Sequence, residues 1–404
     1  MATSKGVWDL QEVRDKQLAS NWNYSADDPN ALFAWGKNSY GVLGLNQPSN
    51  TRYSSPVNVQ GTWTNIYHGG GGDTRWVAKA SGSLYVWGNN GNHGVLGVNQ
   101  GPGQLAALSS PTQVGTDTTW NKVWAGENYA IANKTDGTLW VWGSNDSGQL
   151  GQNQGPGQLG PASSPVQVGT DTTWTKSVVG AIAHAAIKTN GTLWVWGRNW
   201  KGGLGQNQNP ASVFQVSSPT QVGTDTTWKT IFGTGDTFFA AKTNGTMWAW
   251  GRSWGGALGQ NQYFPSDTGS RSSPTQIPGT DWAIVTGMLR GVSTKTDGTL
   301  WSWGYQNRGE LGQNNNVKYS SPTQVGTDTT WPKLDAKFNN ILNVPSMTGA
   351  IKTDGTLWLW GANLSGELGD NTIITRSSPV QIPGTWSEVQ GKGYNGAVIA
   401  RTPS

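Results

Sequence analysis

Cysteine is absent from this 404-residue chain, which excludes disulfide staples, thiolate metal sites and cysteine nucleophiles. Charge is scarce as well. Only 12% of residues are Asp, Glu, Lys or Arg, about half the usual share. The 27 basic residues outnumber the 23 acidic ones by four, and they form no cluster of the kind that nucleic acid requires. The three histidines, His68, His93 and His184, lack metal-ligand spacing. No stretch approaches the roughly 18 consecutive apolar residues of a membrane span. The opening residues "MATSKGVWDLQEVRDKQLASNWNY" lack the apolar run of a signal peptide. The expectation is a soluble, cytosol-made protein with no cofactor, no metal, no nucleic-acid partner and no membrane insertion.

Glycine and tryptophan fill the space, with 58 and 25 residues. The stretch "GTLWVWG" occurs at 137–143 and again, unchanged, at 191–197. Its second Trp or a counterpart falls at Trp35, Trp87, Trp142, Trp196, Trp250, Trp303 and Trp360, at intervals of 52, 55, 54, 54, 53 and 57. Each is followed by a glycine, then by "LG", then by "SSP", whose prolines are 56, 111, 165, 219, 274, 322 and 379. A further Trp closes each unit, at 63, 120, 174, 228, 282, 331 and 386. Repetition at this period is the signature of a ring or solenoid.

One unit reads as four short strands: "WNKVWAG" from Trp120, "YAIANKT" from Tyr129, "LWVWG" from Leu139 and "SPVQV" from Ser164. "DGT" supplies the tight turn between the second and third. The proline stands at the start of the fourth, where a missing N–H is tolerated. The third strand is apolar on both sides, Trp140 and Trp142 on one and Leu139 and Val141 on the other, so it is expected to be buried between layers. The pattern predicts an all-β fold, a seven-bladed β-propeller of four-stranded antiparallel blades over residues 31–401. Residues 1–30 form an N-terminal arm and 402–404 a tail. One blade is expected to combine strands from 386–401 and 31–59, closing the ring without a free edge.

The order "KTDGTLWVWGSNDSGQLGQ…SSPVQV" resembles the regulator of chromosome condensation repeat. That resemblance implies a rigid ring presenting loops to a partner. The family includes an exchange factor for a small GTPase, a plant ultraviolet photoreceptor and a bacterial β-lactamase inhibitor, so it implies no single activity. The arm, "GVWDLQEVRDKQLASNW", resembles N-terminal segments of structural and fibre-type proteins of tailed phages. Trp8, Leu10, Val13 and Trp22 are its candidate docking residues, or equally the anchors of a strap packed across the ring.

Enzyme motifs are weak. "GPGQLG" at 155–160 fits a phosphate-loop pattern, but carries a proline and precedes no helix signal. "NGT" at Asn190 and Asn244 occupies the slot filled by "DGT" elsewhere, so it reads as a turn rather than a glycosylation site. Asp146, Glu310 and Glu367 recur at equivalent loop positions and read as a solvated polar ring. No Ser/His/Asp or paired-carboxylate arrangement can be defended, so no enzyme is expected.

Variation concentrates in the connections between third and fourth strands, where rigid scaffolds carry binding residues. Trp76, Trp124, Trp200, Phe214, Trp254, Tyr263, Phe264 and Tyr319 are the candidates for an aromatic, amide-rich partner-binding face. The alternative is that they cover the blade rims. The functional expectation is a non-enzymatic virion component of a tailed phage, a tail-fibre, adhesion or capsid-associated protein. Its arm would hold other virion proteins and its loops a host surface glycan or protein. The alternative is a cellular protein-interaction or inhibitor module. A glycan-acting enzyme or a guanine-nucleotide exchange factor stands as a further rival.

Overall fold

The computed structural model describes residues 31–68, 75–101, 103–126, 128–155, 157–208, 210–262, 269–287, 289–332, 340–392 and 397–401. The arm residues Trp8, Leu10, Val13 and Trp22 lie outside these, as do Tyr263 and Phe264.

Among the described residues the strands group into seven four-stranded antiparallel sheets, numbered here by chain order. Sheet I joins the two ends of the chain: Arg52–Val59, Leu32–Lys37, Ala397–Arg401 and Glu388–Lys392, in that spatial order. Leu32 pairs with Arg401 and Trp35 with Val398, so the terminal strands close the ring as the sequence predicts. Sheets II to VII are simple meanders. Their first strands are Asn65–His68, Trp120–Ala125, Trp174–Val179, Trp228–Thr234, Trp282–Gly287 and Ile341–Val344. Each first strand, with Glu388–Lys392 of sheet I, lies against the first strand of the next sheet around a full circuit. The first strands therefore form the inner wall of a β-propeller, and the "SSP" strands its outer rim.

The third strands fulfil their two-sided pattern. Trp140 and Trp142 face the core shared with sheet II, while Leu139 and Val141 face the core shared with sheet IV. Seven such cores occupy the seven seams. At each seam the second Trp of the repeat donates its indole N–H across to the preceding sheet's loop. Trp35, Trp87, Trp142, Trp196, Trp250, Trp303 and Trp360 bond the carbonyls of Glu367, Val42, Val95, Gln149, Gly203, Ala257 and Glu310 at 2.9–3.2 Å. A buried indole needs such an acceptor, and area alone then contributes roughly 2–3 kcal/mol per Trp.

The acceptor precedes the "LG" step, which explains that glycine. A Cβ on Gly97 would stand 2.7 Å from Trp142 Nε1, and one on Gly259 would stand 2.6 Å from Trp303 Nε1. Both glycines also adopt positive φ, which disfavours any side chain. The "SSP" strand is extended at its start relative to the sequence reading, running over Ala162–Gln167 in sheet III. Its pairing with the third strand shifts register between Ala162 and Val166. Pro165 lies in that interval, where its missing N–H interrupts the ladder. In sheet VII the first strand begins at Ile341 rather than at Trp331, a second departure from the expected unit.

Candidate interaction surface

The meander places two kinds of connection on opposite faces of the ring. Turns between second and third strands and links from fourth to first make the turn face. Links from first to second and from third to fourth make the loop face.

The turn face is closed by a repeated node. In sheet IV, Lys188 sits 3.8 Å over Trp194 and 4.7 Å over Trp174, with its ammonium 2.6 Å from Asp171. The same set recurs as Lys134 with Trp120, Trp140 and Asp117, and as Lys242 with Trp228, Trp248 and Asp225. It recurs again as Lys352 with Trp331, Trp358 and Asp328. Burial pushes the Asp117 and Asp225 carboxyls up, but hydrogen bonds from lysine and threonine outweigh it and hold both at about 2. The "NGT" slots behave as turns. Asn190 accepts from the Thr192 N–H at 3.1 Å, as Asp136 does from Thr138 at 2.9 Å.

The loop face is held from below by buried amides. Asn145 accepts from the Leu150 N–H at 3.2 Å and donates to the Leu159 carbonyl at 2.9 Å; Asn199 does the same for Leu204 and Val213. Gln152 and Gln206 tie their loops to the fourth-strand carbonyls of Gln167 and Gln221. Much of the amide content therefore supports the loops instead of facing outward. Within "GPGQLG" the Gln158 N–H donates to the Gly155 carbonyl at 3.1 Å, and no helix follows among the described residues.

Above this support the candidate aromatics divide. Trp200 is 40% and Phe214 54% exposed, and the Arg198 guanidinium lies 4.9 Å from one ring and 4.6 Å from the other. Trp254 stacks on Tyr305 of the next sheet at 4.7 Å and 16°, with Lys318 4.5 Å above Tyr305. Tyr319 is half-buried, and its hydroxyl accepts from Asn315 at 3.2 Å. Trp124 is a correction. It packs half-buried against the core between sheets III and IV, because strand alternation turns it toward the neighbouring sheet. The side chain of Trp76 lies outside the described residues.

Two polar expectations also change. Glu310 and Glu367 are buried rather than solvated. Glu310 accepts the backbone N–H groups of Asn307 and Arg308, at 2.9 and 2.7 Å, and approaches the buried Arg290 at 3.6 Å. Arg290 in turn donates to the Val344 and Pro345 carbonyls, both at 2.8 Å, stapling sheet VI to sheet VII. Asp146 alone of the three stays exposed, 3.5 Å from His93. His184 belongs to the second strand of sheet IV, fully buried and lying flat on Trp196 at 4.8 Å and 3°. Burial drives its pKa down to about 3, so the ring is neutral. Among the described residues no group of three or more metal-ligating side chains occurs.

Sequence reasoning missed the most exposed apolar residues. Ile373 is 68% exposed, and Leu364, Ile374 and Val317 are comparably open. Asn363 ties the tip carrying Ile374 through the Thr372 and Ile374 carbonyls at 3.0 and 3.2 Å. Two isoleucines inside the polar loop "DNTIITR" were the available signal.

Residues 30–70, 136–185 and 297–333 match the model of the Regulator of chromosome condensation (RCC1) repeat. These three segments are RCC1-like repeats. Its fold resembles that of the RCC1-type protein Prp20p from Saccharomyces cerevisiae, with a TM-score of 0.77, 17% identity and coverage of 100% of this chain and 97% of that one. The human E3 ubiquitin-protein ligase HERC2 is 25% identical over 412 residues, which is 96% of this chain and 8% of HERC2. The secretion-regulating guanine nucleotide exchange factor of Bos taurus is 25% identical over 377 residues, 88% of this chain and 79% of that protein. These relatives are cellular proteins. They lend no support to the virion role, whose arm lies outside the described residues.

Proposed function

We propose that this chain forms a seven-bladed, non-enzymatic protein-interaction module that docks a partner on its loop face. One observation carries the reading. Of the eight large apolar side chains that stand exposed among the described residues, seven sit on third-to-fourth-strand loops: Tyr40, Trp200, Phe214, Val317, Leu364, Ile373 and Ile374. Apolar surface gathered on one face of a rigid scaffold marks a contact site. Exposed Trp and a ring-stacked Arg are the residue types that dominate binding energy at protein interfaces. Arg198 further suggests a partner carboxylate, because its guanidinium, lying beside both exposed rings, forms no salt bridge among the described residues. The names of the relatives support the class: a nucleotide exchange factor, and a Prp20p structure described with its binding to Gsp1p and histones.

The test is comparative capture from cell extract. Wild type, a loop-face variant (Trp200→Ala, Ile373→Ser, Ile374→Ser) and a turn-face variant (Lys188→Met) serve as baits. A partner retained by wild type and the turn-face variant but lost by the loop-face variant is expected. Equal capture by all three overturns the assignment of the face.

A further inference from the structure

The last tryptophan of each repeat sorts the seams by the length of the linker that precedes it. Three residues separate Val59 from Trp63 and Ile382 from Trp386. There the linker's own backbone satisfies the indole: Trp63 donates to the Val59 carbonyl at 3.3 Å and Trp386 to the Pro383 carbonyl at 3.2 Å. In four other seams the linker is "GTDTT", two residues longer, ahead of Trp120, Trp174, Trp228 and Trp331. All four side chains belong to residues no more than 5% exposed, and none of their N–H groups has an acceptor among the described residues. A buried donor in that state is costly unless something outside the chain meets it. The seam of Trp282 is intermediate, with four linker residues and an N–H that also lacks an acceptor.

The longer linker leaves room. A Cβ on Gly61 or Gly384 would stand 2.7 or 3.2 Å from the tryptophan ring beside it, but one on Gly115, Gly169, Gly223 or Gly326 would meet nothing within 4 Å. At the seam between sheets III and IV this room is a groove of about 340 Å³, at the small end for small-molecule sites. Its lining includes Val168 and Asp171 of the linker, Trp174 and Lys188 of sheet IV, and Ser218 and Pro219 of that sheet's outer strand. Val168 answers to Val59, each lying opposite the leucine that opens the third strand. Since Val59 receives the N–H in the short seam, the Trp174 N–H is directed toward the groove side of its ring.

Lys188 and Asp171 pair at 2.6 Å, so their charges cancel and the groove suits a neutral ligand. Its polar groups are of both kinds. The Trp174 N–H and the two remaining N–H groups of Lys188 donate, the Asp171 carboxylate accepts, and the Ser218 hydroxyl does either. Val168, Pro219 and the indole add apolar wall. A ring with hydroxyls along its edge and C–H groups on its face complements this mixture. We infer that the groove between sheets III and IV binds a neutral carbohydrate, one sugar unit in size, and that the seams of Trp120, Trp228 and Trp331 repeat the site. The same ion pair stands in each, as Lys134 with Asp117, Lys242 with Asp225 and Lys352 with Asp328. None of the exposed loop-face side chains lines the groove, so the site is independent of the partner-docking reading.

Nuclear magnetic resonance of the full chain carrying isotope-labelled tryptophan tests it, because each indole N–H gives its own signal. The probes are D-glucose, D-galactose, D-mannose, L-fucose and N-acetyl-D-glucosamine, with glycerol as the control. At least one sugar is expected to move the signals of Trp120, Trp174, Trp228 and Trp331, while those of Trp63 and Trp386, bonded within the chain, stay in place. Ser218→Trp fills the groove and is expected to weaken the Trp174 response at least tenfold, leaving the other three. Ser164→Trp, the same position one sheet earlier, does this for Trp120 and serves if Ser218→Trp fails to fold. No response to any of the sugars, an equal response to glycerol, or responses undiminished in both variants overturns the site.

Discussion

Trp174 and Trp200 belong to the same sheet and illustrate its two ends. On the turn face Trp174 is buried beneath Lys188 and Asp171, and the repeat supplies a partner for every polar atom in the node except the indole N–H. On the loop face Trp200 stands open beside an arginine whose Nε has no acceptor. Where the repeat is strict, residues satisfy one another and the result is scaffold. Where it varies, apolar and cationic groups are left facing outward, as a docking surface demands.

The sharpest way to break this contrast is to truncate the two tryptophans. Trp174→Ala should cost about 3–5 kcal/mol, because it empties a packed seam. Trp200→Ala should stay within about 0.5 kcal/mol of wild type, as surface substitutions do. Denaturant unfolding of both variants checks this, and similar losses would erase the distinction between scaffold and surface.

The two ends should also respond to different acidity. At the loop end of sheet IV, His184 has a folded pKa of about 3 against an ordinary 6.5. The unfolded chain therefore takes up a proton that the folded protein refuses. Stability is full above pH 6.5 and falls as pH drops toward 3, with about 2 kcal/mol lost by pH 5. Phe238 occupies the matching place in sheet V and stacks likewise on Trp250 at 5.6 Å, so His184→Phe fits the site. That variant should lose the slope between pH 6.5 and 4. On the turn face, Asp117 and Asp225 keep pKa values near 2 against 3.8, so their contribution persists above pH 4 and fades only below it. A wild-type stability curve that stays flat from pH 7 to 4.5 would contradict the neutral His184.

Much of the architecture was legible in the residues. Alternation in "LWVWG" placed Trp142 and Val141 on opposite sides, and the truncated units at Leu32 and Ala397 showed how the ring closes. What the sequence could not reveal depends on the ring itself. The acceptor of the Trp142 N–H is the Val95 carbonyl, 47 residues away, and only the circular stacking of sheets brings it there. Glu310 looked like a loop carboxylate, but its neighbours Arg290 and Thr348 come from two different sheets. Ile373 and Ile374 read as ordinary apolar residues. Their exposure follows from the way Asn363 pins the backbone of the tip.

A subtler pair separates hydrogen bonding from packing within the scaffold. Trp142 has its cross-seam acceptor at 2.9 Å, whereas the Trp120 N–H has none among the described residues. Both rings are buried in the same core. Phenylalanine at either place loses similar area, so Trp142→Phe should cost about 1 kcal/mol more than Trp120→Phe. Equal losses would mean that packing alone holds the seam.

The smallest expected change in stability is the one that bears most directly on function. Ile373→Ser with Ile374→Ser removes two exposed side chains from a tip whose backbone is fixed by Asn363 and by the Asp370 carboxylate, which accepts from Thr372 at 3.1 Å. None of those bonds involves an isoleucine side chain. The unfolding free energy should therefore move by no more than about 0.5 kcal/mol, while the apparent affinity for any loop-face partner falls. A double variant that unfolds much more easily would show that the isoleucines cover the blade rim, and the docking surface would then shrink to the Arg198, Trp200 and Phe214 cluster.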